Sequence, residues 1–302
     1  MELFKPILFV IINITWTIAQ GQQIPDRSFS YENKRPAYMK SGGPVVTLDE
    51  SHFNFHTLDG RYSSFGKLLA NDGYVLKPGK EKFTLTFLRG TKILVIANAL
   101  GDTGEWKLPT RPAFTNEEVI AVEQWVKDGG CLFIIADHMP CAGAAANLAE
   151  AFGFNFINGF AFRRSDGPEM FTRTLKNLSD NVITKGRDIT ERIDSIQMFT
   201  GSAFLPPPEA VVISSLDERY VIELSSVAWE FNDKNPKLSG RHFANGAMLQ
   251  YGKGRVVIFG EAAMFTAQLQ GPHKIPMGMN QPTARQNAQL LLNIIHWLDG
   301  KL

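Results

Sequence analysis

Lys92-Ile93-Leu94-Val95-Ile96-Ala97-Asn98 is an uninterrupted apolar stretch that ends in a polar residue. A strand without polar alternation is buried on both faces, which is typical of a parallel sheet. Residues 131–137, Cys-Leu-Phe-Ile-Ile-Ala-Asp, repeat this pattern. Between the two stretches, Thr115 and Glu118 have the spacing of a capping box, which predicts a helix that begins there and ends at Gly129. Strand, helix and strand in this order predict a βαβ unit.

The sequence on both sides of this unit extends the prediction. Residues 44–48 are predicted to form a first strand, and Gly252-Lys253-Gly254 is a hairpin signal between the candidate strands 247–251 and 255–260. From about residue 154 to residue 245, short strand candidates alternate with Gly, Pro and Asn clusters. We therefore predict an α/β fold with a mostly parallel sheet and a β-rich excursion.

The N-terminus predicts export. Lys5 precedes an apolar run, and small residues follow it up to Gly21, so residues 1–21 have the layout of a secretory signal peptide. A membrane anchor is the alternative, but the run is short and interrupted by polar residues. We expect a periplasmic or secreted protein without stable membrane insertion after signal cleavage. Residues 22–43 are predicted to be an extended N-terminal arm, and residues 44–302 a single α/β domain.

The charge balance argues against a nucleic-acid partner. The 302 residues include 31 basic and 30 acidic ones, which gives a formal net charge of +1, and no long charged run is present. A sequence-independent hold on a phosphate backbone needs a strongly basic surface. At 44% hydrophobic residues, the chain has an ordinary globular composition and is long enough for a sizeable core.

The two cysteines, Cys131 and Cys141, are predicted to be free thiols. They lie at opposite ends of a predicted strand and the turn after it. Six strand steps span about 20 Å. A disulfide tolerates a much shorter separation between its Cα atoms.

Polar residues follow the predicted strands where each strand ends. Asn98 and Asp102 follow one strand, Asp137 and His138 the next, and Glu261 a third. Ligands of open α/β sheets bind outside the carboxyl ends of the strands, so we expect these groups to share one crevice. We predict Asp137, His138 and Glu261 as catalytic residues and Asn98 and Asp102 as substrate-binding residues. For Glu261, capping of a helix N-terminus is an equal alternative.

Two histidines follow the first predicted strand. His52 and His56 are four residues apart, and on a helical turn both imidazoles would point the same way. That arrangement suits a divalent metal such as zinc, which is the one cofactor that the sequence indicates. The alternative is that both are polar loop residues with hydrogen-bonding roles.

The segment that follows the strand at 131–137 contains two candidate groups for catalysis, the Asp137-His138 pair and Cys141. Asp137 beside His138 suits proton transfer, although adjacent residues of an extended chain point to opposite sides. Cys141 lies between a strand and a helix, where nucleophiles occur, but no Gly-x-Cys-x-Gly frame surrounds it. A buried structural role is therefore the better prediction for Cys141.

Several motifs together resemble a known superfamily. They are His52-Phe53-Asn54-Phe55-His56-Thr57, Gly60-Arg61-Tyr62, Asp72-Gly73-Tyr74, Leu94-Val95-Ile96-Ala97-Asn98, Trp125-Val126, Gly129-Gly130, Ile134-Ile135-Ala136-Asp137-His138 and Asn293-Ile294-Ile295-His296-Trp297-Leu298. In these motifs the chain resembles exported bacterial proteins of the class I glutamine-amidotransferase-like superfamily, in a branch known only as domains of unknown function.

The resemblance implies a three-layer flavodoxin-like sandwich across residues 44–302. True amidotransferases of the superfamily carry a Cys at the elbow after a strand and a downstream His-x-Glu pair. Here the elbow is Asp137-His138-Met139-Pro140 and no His-x-Glu is found, so amidotransferase activity is not expected. Some relatives act on carbohydrates, and others bind ligands without catalysis.

Two functions remain open from the sequence. The first is an exported hydrolase-like protein that acts on a small polar or carbohydrate-derived substrate at the carboxyl edge of the sheet. The second is a non-catalytic module that binds a glycan or a protein on the same fold. The expected partner is a small molecule or carbohydrate, and nucleic acid is not expected.

Overall fold

The computed structural model describes residues 23–163 and 167–302. The predicted signal peptide, residues 1–21, lies outside the described residues. Among the described residues, none of the helices combines the length and the hydropathy that a bilayer crossing needs. The first elements are β1 (Gln23–Pro25), β2 (Val45–Asp49), α1 (Ser63–Asn71), β3 (Val75–Gly79), α2 (Leu85–Leu88), β4 (Ile93–Ala97), α3 (Asn116–Lys127), β5 (Cys131–Ile135), α4 (Cys141–Glu150) and β6 (Asn155–Arg163).

The remaining elements contain most of the short strands. They are β7 (Glu169–Thr172), α5 (Val182–Lys185), β8 (Ser195–Met198), β9 (Gly201–Leu205), β10 (Val211–Ser215), β11 (Tyr220–Glu223), β12 (Lys237–Ser239), β13 (Ala244–Tyr251), β14 (Gly254–Phe259), β15 (Ala267–Gln270), β16 (Ile275–Gly278) and α6 (Asn287–Asp299). A 3₁₀ turn, Ala263–Phe265, lies between β14 and β15.

One half of the main sheet is parallel. Strands β14, β5, β4, β2 and β3 are neighbours in this order, and each adjacent pair is parallel. All residues of β4 and β5 are buried, as the apolar runs require. The paired residues Val95 and Phe133 belong to the core on one face, and the next pair, Ile96 and Ile134, to the core on the other.

The prediction of a mostly parallel, flavodoxin-like three-layer sandwich is wrong. Strand content is 30% against 21% helix, and the sheets are mixed and largely antiparallel. The predicted hairpin at Gly252 joins β14 to β13, which pairs with β9 and β10; β6, β11 and β12 then extend the same sheet, all antiparallel. Of the strands within residues 154–245, β6, β9, β10, β11 and β12 therefore belong to the main sheet, because β13 also pairs with β9 and β10. Strands β7 and β8 pair with each other in a separate sheet.

Helices cover both faces of the parallel half. Helices α1 and α6 contribute Phe65 and Leu291 to the core on one face. Helices α3 and α4 contribute Val122 and Leu148 to the core on the other. Helix α3 begins at the predicted capping box, in which Thr115 Oγ1 accepts from the Glu118 backbone N–H and the Glu118 carboxylate accepts from that of Thr115.

Strand pairing and several side-chain hydrogen bonds hold the N-terminal arm against the domain. Strand β1 pairs antiparallel with β15, which in turn pairs with β16. Further along, the Asn33 side chain and the Ala37 backbone N–H both donate to Asp72 Oδ1 at 2.7 Å. The other oxygen of this buried carboxylate lies 2.6 Å from His296 Nε2. The arm therefore follows a defined path over the domain.

Both cysteines are buried free thiols. The prediction that Cys131 and Cys141 do not form a disulfide is confirmed.

Candidate functional site

A cavity of about 550 Å³ lies at the carboxyl edge of the parallel strands. Its volume is within the range of small-molecule sites. Strands β2, β4, β5 and β14 all end at this edge because they are parallel. The polar part of its wall comes from the segments that follow these strands: His56, Arg61, Asn98, Asp137, His138 and Glu261.

Asn98 connects the segments that form the floor of the cavity. Its side-chain Oδ1 accepts from the Asp137 backbone N–H at 2.9 Å, and its carbonyl accepts from the Phe55 N–H at 3.0 Å. Its φ of 48° lies in the left-handed region, which asparagine tolerates better than most residues. Asn98 is thus buried and holds Asp137 in place.

His138 has one ring nitrogen engaged and one available. Nδ1 lies 2.8 Å from the Met139 carbonyl oxygen, to which it can only donate. In a neutral ring this leaves Nε2 as an acceptor, and no described residue bonds it. The ring stacks on Phe160 at 4.5 Å between centroids, with 13° between the planes. His138 therefore presents a fixed imidazole that can accept a proton.

Asp137 is a buried carboxyl beside this imidazole. Its Oδ1 accepts from the His138 backbone N–H at 2.8 Å. Burial raises the pKa of Asp137, although the nearby His138 and the hydrogen bonds that the carboxylate receives act in the opposite direction. A carboxyl with a raised pKa in a ligand cavity is suited to donate a proton near neutral pH.

Glu261 caps the 3₁₀ turn after β14. Oε1 accepts from the Ala263 N–H at 2.6 Å and Oε2 from the Met264 N–H at 2.9 Å. The side chain is fully buried, and burial together with the charge of Asp137 raises its pKa well above the usual value. The capping role that the sequence left open is therefore present, and both oxygens are occupied by it.

Arg61 and His56 also line the cavity, and Arg61, although part of the motif Gly60-Arg61-Tyr62, was not predicted as a site residue. The Arg61 guanidinium lies 4.1 Å above the Phe55 ring, and no hydrogen bond or ion pair reaches it from the described residues. His56 is almost fully buried, with Nδ1 unpartnered there as well. Burial and the charge of Arg61 lower the pKa of His56 to about 3, so its ring is neutral.

Aromatic rings form the rim of the cavity, and these too were missed from the sequence. Trp229 packs edge-on against His138 at 4.5 Å and is half exposed. Trp106 lies 5.6 Å from Phe55 and 6.3 Å from His138. Both tryptophans lie in loops, and no local pattern of the sequence indicates where these loops return.

Three of the eight described non-glycine residues with a positive φ line the cavity. Thr200 has a φ of 90° and Trp229 a φ of 69°, in addition to Asn98. A β-branched residue rarely adopts such a conformation, and it persists only where the surrounding structure enforces it. Strain of this kind is typical of functional sites.

The two histidines predicted as a metal pair lie in different environments. His52 Nδ1 is 2.9 Å from Asp49 Oδ2, and His52 Nε2 is 2.9 Å from Glu118 Oε1. Both nitrogens are thus taken, and His52 is not part of the cavity wall, whereas His56 is. Across residues 23–163 and 167–302, no three His, Cys, Asp or Glu side chains are grouped so as to hold a metal. The described residues therefore provide no zinc site at this pair.

Asp102, predicted to bind substrate, is also outside the main cavity. It accepts from the Gly104 N–H at 2.9 Å and pairs with Arg111 at 3.3 Å. It lies on a smaller cavity of about 270 Å³, which shares Trp106 with the larger one.

Cys141 lies on the cavity wall but is almost fully buried. Burial and the charge of Asp137 raise the pKa of its thiol well above the usual value. The thiolate is the nucleophilic form, so this environment does not suit a catalytic cysteine.

Comparison with known proteins gives the fold and no family. No protein-family model and no curated protein matches the chain. Among solved structures, the "mmIFT52 N-terminal domain" matches with a TM-score of 0.58 and 14% identity, over 84% of this chain and 97% of that one. "Cytoplasmic Protein STM3548 from Salmonella typhimurium" matches with a TM-score of 0.52 and 12% identity, over 85% and 99%.

A thua-like protein from Bacteroides uniformis also matches, with a TM-score of 0.46 and 14% identity, over 89% of this chain and 94% of that one. The solved structures that match the chain thus include thua-like proteins. At these identities the matches indicate a likeness of fold alone, and the function has to be argued from the cavity.

Proposed function

We propose that the chain is a hydrolase-like enzyme that acts on a small polar, carbohydrate-derived substrate in the 550 Å³ cavity. One observation carries this proposal: a buried carboxyl with a raised pKa, Asp137, adjoins an imidazole with a free Nε2, His138, on the wall of a cavity of ligand size. A proton donor and a proton acceptor with different tasks are what hydrolysis by water requires.

The chemistry needs no protein nucleophile. His138 Nε2 accepts a proton from a water molecule, whose oxygen attacks the substrate. Asp137 in its protonated form donates its proton to the oxygen of the leaving group, and the bond to that oxygen breaks. The buried thiol of Cys141 takes no part, in agreement with its raised pKa.

The carbohydrate class is supported by the composition of the wall. Trp106, Trp229 and Phe55 present flat apolar faces, while Asn98, Arg61 and His56 are polar. A sugar ring has both characters, since its C–H groups form apolar patches and its hydroxyls need hydrogen-bond partners.

A non-catalytic binding module is the second candidate, and Glu261 favours it. Two carboxyl groups are usual in glycoside hydrolysis. Here the second carboxyl is fully buried and both of its oxygens accept backbone N–H groups. Asp137 is then the one carboxyl among the described residues that can serve as the acid in the cavity.

Turnover of a panel of nitrophenyl glycosides and esters tests the catalytic proposal. We expect Asp137→Asn and His138→Gln each to lower kcat by a factor of about 10²–10⁴. Asp137→Asn should also remove one limb of the pH–rate profile, because burial raises the pKa of this carboxyl. Asp102→Asn, outside the main cavity, is the control and should leave kcat unchanged. If the wild type turns over none of the panel but binds sugars, the binding module is correct and the catalytic proposal is wrong.

Export belongs to the same proposal and is supported by the layout of residues 1–21. Expression of the full chain in a bacterial host, followed by fractionation and intact-mass measurement, tests it. We expect a product outside the cytoplasm that lacks about 20 residues. A full-length product that stays in the cytoplasm would contradict export.

A further inference from the structure

We propose that the ligand of the cavity carries a carboxylate, as an acidic sugar does, and that Arg61 binds this carboxylate with His56 as a second donor. The inference rests on the proposed function, because it names the substrate class for the same site. It starts from a half-buried cation for which the described residues provide no hydrogen-bond acceptor or ion-pair partner.

The guanidinium of Arg61 has five N–H donors and, among the described residues, no hydrogen-bond acceptor or ion-pair partner. The guanidinium instead lies over the face of Phe55, 4.1 Å from the ring centroid. A half-buried guanidinium without acceptors is costly, since the charge has lost part of its hydration. An acceptor supplied by a ligand removes that cost, and a carboxylate matches the planar fork of the side chain with two parallel hydrogen bonds.

The acidic residues of the cavity do not fill this role. Burial lowers the pKa of Arg61, and the nearby charge of Asp137 only partly offsets this effect; Asp137 forms no ion pair with Arg61. Both oxygens of Glu261 are occupied by the backbone of the turn that follows. Burial also raises the pKa of both carboxyls, which reduces the negative charge that an incoming anion would meet.

His56 adds a neutral donor beside the cation. Its Nδ1 is buried without a partner, and the ring lies on the cavity wall, so Nε2 is the nitrogen available to a ligand. A buried orphan N–H is less tolerable than a buried orphan lone pair, which places the proton on Nε2. The neutral ring can then donate one hydrogen bond without adding a second charge.

The charge count favours a carboxylate over a phosphate. On the described part of the cavity wall, Arg61 is the one Lys or Arg side chain. A single guanidinium and a neutral imidazole match a monoanion, whereas a phosphate carries close to two charges at neutral pH. The aromatic rim leaves room for the sugar ring to which the carboxylate is attached.

Calorimetric binding of matched sugars tests the inference: glucose against glucuronate, galactose against galacturonate, and glucose 6-phosphate as the phosphate arm. For the wild type we expect each uronate to bind at least about tenfold more tightly than its neutral sugar, as a charge-assisted hydrogen bond predicts. Arg61→Gln should abolish this preference and leave the neutral sugars within about threefold of their wild-type affinity. Arg61→Lys should keep part of it.

The control is Arg241→Gln, which removes an exposed arginine that is not part of the cavity wall and should keep the preference. If neutral sugars bind as tightly as uronates, or if Arg61→Gln retains the preference, the inference is wrong while the proposed function stands. Tighter binding of glucose 6-phosphate than of glucuronate would replace the carboxylate by a phosphate. If no sugar of either kind binds, both the inference and the carbohydrate proposal are wrong.

Discussion

His52 and His56 belong to the same short loop and have opposite surroundings. His52 is clamped between two carboxylates, Asp49 and Glu118, and its ring packs on Phe83 and Phe114. His56 has no hydrogen bond at Nδ1 and lies beside the cation Arg61. His52 therefore has a structural role with both ring nitrogens engaged, whereas His56 is part of the ligand cavity. Spacing along the sequence says nothing about this difference, because the decisive partner, Glu118, is 66 residues from His52.

The largest effect on stability is expected when the hydrogen bonds that Glu118 accepts are removed. Glu118 accepts from the Thr115 N–H, from the Phe83 N–H and from His52, so Glu118→Ala leaves three donors without this acceptor, two of them buried. We expect the free energy of unfolding to fall by about 3–5 kcal/mol, measured by denaturant titration. The exposed neighbour Glu117→Ala is the matched control and should cost much less. A loss below about 1 kcal/mol for Glu118→Ala would mean that the hydrogen bonds of Glu118 do not stabilise the fold.

His56, the histidine on the cavity wall, should contribute to stability in a way that is lost on acidification. The pKa of His56 is lowered to about 3, so between pH 6.5 and 3 the unfolded chain binds a proton that the folded chain does not. The folded state therefore loses about 1.4 kcal/mol per pH unit on acidification through this window. We expect His56→Leu to remove this slope relative to wild type in unfolding titrations between pH 4 and 7. Parallel curves for the two proteins would contradict the assignment.

For His52, the contribution to stability should depend on pH in the opposite direction. Its carboxylate partners raise the pKa of His52 despite burial, so the folded chain holds the proton more tightly than the unfolded chain. This contribution is fully present below the unfolded pKa of about 6.5 and disappears as the pH rises through the folded value. Between pH 6 and 9 the wild type should thus lose stability relative to His52→Gln. If the stability of the wild type relative to His52→Gln rose with pH instead, the pairing of His52 with Asp49 and Glu118 would be refuted.

The smallest effect is expected at the rim of the open site. Trp229→Ala removes a half-exposed ring that packs on His138, and we expect ligand affinity to fall by about two- to tenfold. The control Phe53→Ala removes another exposed aromatic side chain, which is outside the cavity wall. If both substitutions weaken binding equally, the rim does not contact the ligand.

The sequence predicted the strands better than it predicted their pairing. The apolar runs of β4 and β5 and the capping box at Thr115 are local patterns, and they identify elements without reference to the rest of the chain. The direction in which residues 154–245 join the sheet depends on which edge of β13 is free, and no local pattern contains that information. The predicted fold class was wrong for this reason.

The residues of the cavity were likewise predicted only where a general rule of the fold applied. Asn98, Asp137, His138 and Glu261 come together on its wall because parallel strands end at one edge, which is a general rule of such sheets. Arg61, Trp106 and Trp229 arrive on segments whose return path the sequence does not fix. Asp102 follows β4 as Asn98 does, but its loop turns away to pair with Arg111.

The pairing of β1 with β15 has a practical consequence for experiments on this chain. It brings Gln23 onto the wall of the cavity. An affinity tag or fusion partner attached just before this residue would stand beside the ligand entrance, and its charges would enter every measured binding constant. Cleavage at the end of the predicted signal peptide would likewise deliver a new α-ammonium group to this neighbourhood, so recombinant protein should be prepared with that terminus.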